Sequence, residues 1–290
     1  MSTIAPGTEI GVVRLTVADL ERSRSFYERV LGLRALSMEG AVLRLGPADG
    51  AALLELHGDP DAVPRDRRLT GLFHFAVLVP SRGDLARALL RLGQTRWPLT
   101  GASDHLVSEA LYLDDPDGNG IEIYRDRPRE EWARDDGGEL RMATLPLDLN
   151  DILSELPGRP SSGAFEEDGG MVAGTKVGHV HLQVSELAQI EAFYSAVLGF
   201  DVVVRSYPGA LFVSAGGYHH HVGLNTWNSR GAGPPPPGSV GLRSFDVRVP
   251  DAADLAAARG RAQDAGLPVE ADDDAFIVRD PSGNAVRLTT

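Results

Sequence analysis

The alternation of apolar and polar positions is clearest between Asp104 and Tyr124. Leu111-Tyr112-Leu113 reads as the apolar centre of one strand and Ile121-Glu122-Ile123-Tyr124 as a second, joined by the turn Asp115-Pro116-Asp117-Gly118-Asn119-Gly120. Pro fixes one φ in such a turn, and Gly and Asn accept the positive φ values a reversal needs. Side chains alternate across a strand, so Glu122 is expected on the face opposite Ile121 and Ile123. A carboxylate there points to water or lines a protected interior, where a buried charge must be paired or bind a metal.

Helical patterning then reveals a repeat. Asp19 to Leu33 carries Leu, Phe, Tyr, Val and Leu on one stripe, and Glu186 to Phe200 carries the same stripe with Phe at its end. Gly32 or Gly199 closes each helix. A strand precedes each copy, Val12 to Val17 and His179 to Val184. Further strands follow at Val42 to Leu45 and Ala52 to Leu56, then at Leu211 to Ser214 and Val222 to Thr226. A weaker pair matches Phe75 to Pro80 and Asp84-Leu85 with Phe245 to Pro250 and Asp254-Leu255, each leading into an alanine-rich helix. The Asp115-Pro116 turn returns as Asp280-Pro281-Ser282-Gly283-Asn284.

The chain therefore reads as an α+β protein of four βαβββ units, the first like the third and the second like the fourth. Two units occupy residues 1–128 and two occupy 177–290. A Gly-, Pro-, Asp- and Glu-rich linker at 129–176 holds one short helix, Leu147 to Leu156, and a Pro-rich loop joins the last two units. No unit buries both faces of its short sheet alone, so pairs of units are expected to form cupped half-barrels around a concave interior.

Composition narrows the chemistry. Without cysteine, disulfides, thiolate metal sites and Cys nucleophiles are excluded. A formal net charge of −13 opposes non-specific nucleic-acid binding. No apolar run of membrane-spanning length occurs, and Met1 to Ile10 lacks the features of a secretory signal. A cytoplasmic protein acting on a small molecule is expected, with homo-oligomerisation left open.

The four units, the helix motif and the Asp-Pro-Asp-Gly-Asn-Gly-Ile-Glu-Ile-Tyr hairpin resemble the vicinal oxygen chelate superfamily. Within it they most resemble catechol-2,3-dioxygenase-like extradiol dioxygenases of the glyoxalase/bleomycin-resistance group. The resemblance implies a two-His-one-carboxylate triad holding Fe(II), or alternatively Mn(II), with open positions for a small aromatic diol and O2. By position, the first-strand sites are Val12, His74, His179 and Ser244, and the last-strand sites are Glu55, Glu122, Gly223 and Arg287. Ser244 and Arg287 are not usable ligands, so the resemblance points to His74, Glu122 and His179, which requires the second and third units to meet. A rival triad, His74, Glu122 and Glu55, would suit a glyoxalase-like isomerase or thiol transferase. A third reading is an aromatic-ligand-binding protein without catalysis.

His179 and His181 are two apart and share a strand face, one as ligand and the other as substrate contact. His219 and His221 are expected to point into the cup with Gly223, for substrate recognition or proton transfer, or to form a polar cluster at its rim. His105 and Tyr112 lie where the resemblance implies an acid–base His and a substrate-binding Tyr. An imidazole titrating near neutrality suits the deprotonation of a catechol. The assigned set is thus His74, His179 and Glu122 for the metal, His105, Tyr112 and His221 for catalysis, and His181 and His219 for substrate.

Overall fold

The computed structural model describes residues 4–47, 50–156 and 170–290, so linker positions 157–169 lie outside the described residues. The first unit comprises β1 (Glu9–Val17), α1 (Leu20–Phe26), β2 (Arg34–Glu39), β3 (Val42–Gly46) and β4 (Leu54–Gly58). The second comprises β5 (Gly71–Leu78), α2 (Arg82–Thr95), β6 (Gly101–Asp104), β7 (Ser108–Asp114) and β8 (Gly120–Asp126). The linker supplies β9 (Leu145–Pro146) and α3 (Leu149–Leu153). The third unit holds β10 (Lys176–Gln183), α4 (Leu187–Glu191), β11 (Asp201–Val204), β12 (Ala210–Ser214) and β13 (Val222–Asn225). The fourth holds β14 (Gly241–Arg248), α5 (Ala252–Asp264), β15 (Glu270–Asp272), β16 (Ala275–Arg279) and β17 (Ala285–Thr289).

Units pair across the halves of the chain. The first and fourth form one curled mixed sheet through antiparallel β1 and β14, and the second and third form the other through antiparallel β5 and β10. One face of each sheet enters a shared core with the helices, through residues such as Val13, Phe75, Val180 and Phe245. The opposite face of the β5–β10 sheet carries the polar side chains considered below. Among the described residues, no helix is long and apolar enough to cross a membrane.

The repeated motifs bind each other. In the turn before β8, Asp115 accepts from the backbone N–H groups of Asp117 and Asn119 at 2.9 and 2.8 Å, and from Asn119 Nδ2 at 2.9 Å. Tyr27 Oη, from the first helix motif, donates to the same carboxylate at 2.8 Å. Asp280 repeats this pattern with Ser282, Asn284 and Tyr194, the tyrosine at 3.3 Å. Helix and hairpin therefore lock together two units that lie in different sheets. The helix motif is not α-helical throughout: it widens into a π turn over Tyr27–Leu31 and again over Ala192–Val197. The wider turn ends at Gly32 and Gly199, whose φ of 88° and 92° favour glycine.

The linker does more than span. Buried Glu109 on β7 accepts from Arg125 Nε at 2.6 Å and Arg82 Nε at 2.9 Å, and Arg82 reaches on to Asp151 of α3 and to Glu155 at 2.6 and 2.8 Å. Burial acts to raise the Glu109 carboxyl, but Arg82 and Arg125 outweigh it and hold the group below its ordinary value. A depressed carboxylate stabilises the fold above the unfolded-state value of about 4.3 and loses that contribution as pH falls through the lower folded value. Glu109→Gln is expected to lower the urea midpoint at neutral pH and to flatten its decline on the acid side, read from urea titrations across a pH series.

Candidate metal centre and cavity

The β5–β10 sheet brings His74, Glu122 and His179 together. His74 Nε2 lies 3.0 Å and His179 Nε2 3.1 Å from the same oxygen, Glu122 Oε2. Among the described residues these three form the one cluster of ligand atoms lying mutually within 4.8 Å, and all three are buried. β8 positions Glu122 as the alternation requires, with Ile121 and Ile123 in the core. β10 turns His179 and His181 to the cavity side and Val180 and Leu182 to the core. A Cβ on Gly178 would stand 1.8 Å from Tyr124 Oη, so only glycine allows β10 to pass there. Gly223, which occupies a ligand position in the repeat, instead makes room for His181: a Cβ on it would lie 3.0 Å from that ring.

The donor set fits a divalent metal. Burial would raise the Glu122 carboxyl, yet His179 and His74 hold it well below the carboxylate range. Burial lowers His179 to about 4 despite the opposing pull of Glu122. Neutral imidazole and ionised carboxylate are the protonation states that metal binding demands. His74 Nε2 is buried and faces Glu122 Oε2 at 3.0 Å without an aligned hydrogen bond, the placement of a lone pair that could share a cation with the carboxylate.

His74 and Glu122 line a cavity of about 510 Å³, and His179 stands against Glu122 just outside that lining. His105 and Tyr112 line it as expected, with His105 Nε2 2.7 Å from Tyr112 Oη. His105 Nδ1 sits 2.6 Å from the Ala143 carbonyl, which fixes the proton on Nδ1 and leaves Nε2 as acceptor for the phenol. Burial, then the Glu122 carboxylate opposite it, pushes the Tyr112 phenol well above its ordinary value. His181 lines the cavity beside His74 at a ring separation of 5.0 Å, its Nε2 unpartnered, and burial, then His74, keeps it neutral.

The two remaining histidine assignments are corrected by the backbone. His219 is fully buried outside the cavity lining, 2.8 Å from Asp126 Oδ1 through Nε2 and 2.8 Å from His220 through Nδ1. His221 accepts from the Ala215 N–H at 3.1 Å and faces a second, smaller cavity of about 270 Å³. His220 is the one that lines the main cavity, its ring centre 4.1 Å from that of His179 and tilted by 49°. Strand alternation counted back from Gly223 fails because β13 begins at Val222, and the chain arrives there from a turn at Gly216-Gly217 with both φ positive.

The rival triad is not assembled. Glu55 lies in the other sheet, held by Arg14 at 3.4 Å, Arg44 at 2.9 Å and His57 at 2.7 Å. In that sheet Arg287 stands where β8 has Glu122, paired with Asp246 at 3.6 Å, and Asp246 binds Arg14 at 2.5 Å. A closed ionic network thus replaces a metal site.

Several cavity residues escaped the sequence reading. Phe73 and His74 together oppose His181, a β-bulge that turns both to the cavity. Phe212, Trp227 and Tyr207 add an aromatic wall, and linker residues Met142, Ala143 and Thr144 close another side. No periodicity marks the linker as part of a site.

Fold and cavity together define a class: the chain belongs to the glyoxalase/bleomycin resistance protein/dioxygenase superfamily, whose profile matches residues 9–123 and 176–288. One relative is a protein of Bacillus subtilis (strain 168) named catechol-2,3-dioxygenase. It is 43% identical over 288 residues, covering 98% of each chain. Solved structures with the same fold include a candidate dioxygenase of Bacillus subtilis, with a TM-score of 0.64, 15% identity, and coverage of 99% of this chain and 86% of that one. Glyoxalase I of Zea mays aligns with a TM-score of 0.56 and 15% identity over 97% and 92% of the two chains.

Proposed function

We propose that this protein is an extradiol dioxygenase that opens a catechol-type ring with O2, using Fe(II), or alternatively Mn(II), held by His74, His179 and Glu122. The observation that carries this reading is the convergence of two imidazoles and one carboxylate at the edge of an aromatic-walled cavity. The relative named catechol-2,3-dioxygenase supports it. A metal on such a facial triad supplies open positions at which a diol and O2 meet.

The chain's own residues then handle orientation and protons. His105 Nε2, freed by the Nδ1–Ala143 contact to act as acceptor, takes a proton from a bound diol hydroxyl. Binding of the diol breaks the Tyr112–His105 hydrogen bond, so that Nε2 meets a diol hydroxyl while Tyr112, still protonated, donates its freed O–H to the substrate. Phe73 and Trp227, 5.4 Å apart, offer an apolar wall against which the ring packs. His181 remains neutral and offers a hydrogen bond without bringing a charge. The rival isomerase reading loses its carboxylate, because Glu55 is committed elsewhere.

The test is anaerobic reconstitution with Fe(II) or Mn(II), metal quantification, then addition of catechol and air while watching for a yellow ring-opened product. One metal per chain with colour formation is the expected result; a metal-loaded protein inert to every simple catechol would overturn it. In the active preparation, His105→Asn is expected to lower kcat by about 100-fold or more while metal content is retained.

A further inference from the structure

The smaller cavity, of about 270 Å³, has no part in the ring-opening reading. It lies where the two sheets meet, between the start of β1 in one and the ends of β5, β8 and β10 in the other. Two polar groups in its wall lack partners. Thr8 is 2% exposed, and its Oγ1 is buried without a hydrogen bond. His221 Nδ1 accepts from the Ala215 N–H at 3.1 Å, so the ring proton sits on Nε2, a donor with no partner among the described residues. Burial, then the neighbouring His219 and His179 and the charges of Lys176 and Arg129, lowers the His221 pKa to about 3, so the ring stays neutral and keeps that donor.

The charges at the mouth are unequal in their commitments. Arg129 and Lys176 are both exposed there. Arg129 donates to the Gly216 carbonyl at 3.2 Å, and among the described residues no carboxylate lies within ion-pair distance of it. The two carboxylates of the lining are engaged already. Glu9 pairs with Lys176 at 2.7 Å, and Asp126 accepts from His219 Nε2 at 2.8 Å and from the Tyr218 hydroxyl at 3.2 Å. What remains facing the space is a hydroxyl, an imidazole N–H and a guanidinium: three donors and one uncompensated positive charge. Buried polar groups without partners are costly, and donors gathered around a guanidinium match an oxyanion. The volume falls below the range of about 300–1,000 Å³ usual for drug-sized ligands, so the occupant is small.

We infer that this cavity binds a small oxyanion, phosphate or a short carboxylate, through Arg129, Thr8 and His221. Thr8 comes from the first half of the chain and His221 from the second, so the bound ion ties the halves together. The site is separate from the main cavity and does not depend on the proposed reaction.

Calorimetric titration of the purified protein with inorganic phosphate and with acetate, at an ionic strength held constant by sodium chloride, is the test. Thermal unfolding is read in parallel. One ion per chain is expected, with Tm rising as the ion is added. Tighter binding of phosphate identifies a tetrahedral ligand, and tighter binding of acetate a carboxylate. Arg129→Gln and Thr8→Val are each expected to weaken binding by about 10-fold or more. Arg134→Gln, at a linker arginine outside the cavity, is expected to leave it unchanged. Thr8→Val carries a second signature: without the ion it should unfold no earlier than wild type, because its hydroxyl has no bond to lose. Glu122→Ala should bind the ion as wild type does, which separates this site from the proposed metal centre. No binding of either ion at about 10 mM overturns the inference. So does binding that survives both Arg129→Gln and Thr8→Val, or that disappears with Glu122→Ala. Should Thr8→Val fail to fold, Arg129→Gln, at an exposed position, decides the matter.

Discussion

Glu122→Ala is expected to yield a folded protein that binds no metal and opens no ring. Its carboxylate oxygen is the point on which His74 and His179 converge, at 3.0 and 3.1 Å, so two imidazoles alone are left to hold a cation. Losing one of three ligands from an open-sided site removes both affinity and the geometry that presents vacant positions. Metal per chain should fall from about one to near zero, with activity reduced about 1,000-fold or more, a loss of roughly 4 kcal/mol in barrier lowering. His179→Ala should behave alike, since that ligand comes from the far half of the chain. Glu55→Ala is the informative contrast: it should retain its metal and its activity while losing stability, because Arg14 and Arg44 lose the carboxylate they share. Elemental analysis of the three variants, purified and reconstituted identically, checks all of this at once. Full metal content in Glu122→Ala would place the metal elsewhere.

The second large effect concerns folding. Asp115→Ala removes one carboxylate that serves two backbone N–H groups, an amide and a buried phenol. Each net hydrogen bond is modest, but stranded buried donors cost more than the bond was worth, so a loss of about 3 kcal/mol or more is expected. Tyr27→Phe removes a single contact and should cost about 1 kcal/mol. Urea unfolding reads both. A combined variant should cost less than the sum, since Tyr27 and Asp115 are partners.

The same pair explains why so much of the architecture was legible. The helix stripe ending in Phe-Tyr and the Asp-Pro-x-Gly-Asn turn are visible as repeats because they meet: Tyr27 with Asp115, Tyr194 with Asp280. The turn's own bonds, linking Asp115 to Asp117 and Asn119, are local and leave a local signature, whereas the tyrosine that meets them comes from 88 residues away. Alternation set Glu122 opposite Ile121 and Ile123, and the spacing of two put His179 and His181 on one face, but only the family resemblance made Glu122 and His179 candidate ligands. What alternation could not supply was the phase where a strand stops being regular. His219 and His221 were assigned to the cup by counting from Gly223, but the chain there is not a strand, and His220 takes the position. The bulge that turns Phe73 and His74 to one side is likewise silent in the sequence. The linker's contribution, Ala143 fixing His105, depends on a backbone carbonyl that no residue type announces.

The exchange of partners between halves also orders events at the ribosome. Strand β5 finds its neighbour in β10 rather than in anything made before it, and His179 follows Glu122 by 57 residues. A nascent chain that has emerged only through β8 carries two of the three proposed ligands, His74 and Glu122, and lacks His179. A divalent metal that arrived early would meet only part of the proposed site, so loading would belong to the finished polypeptide.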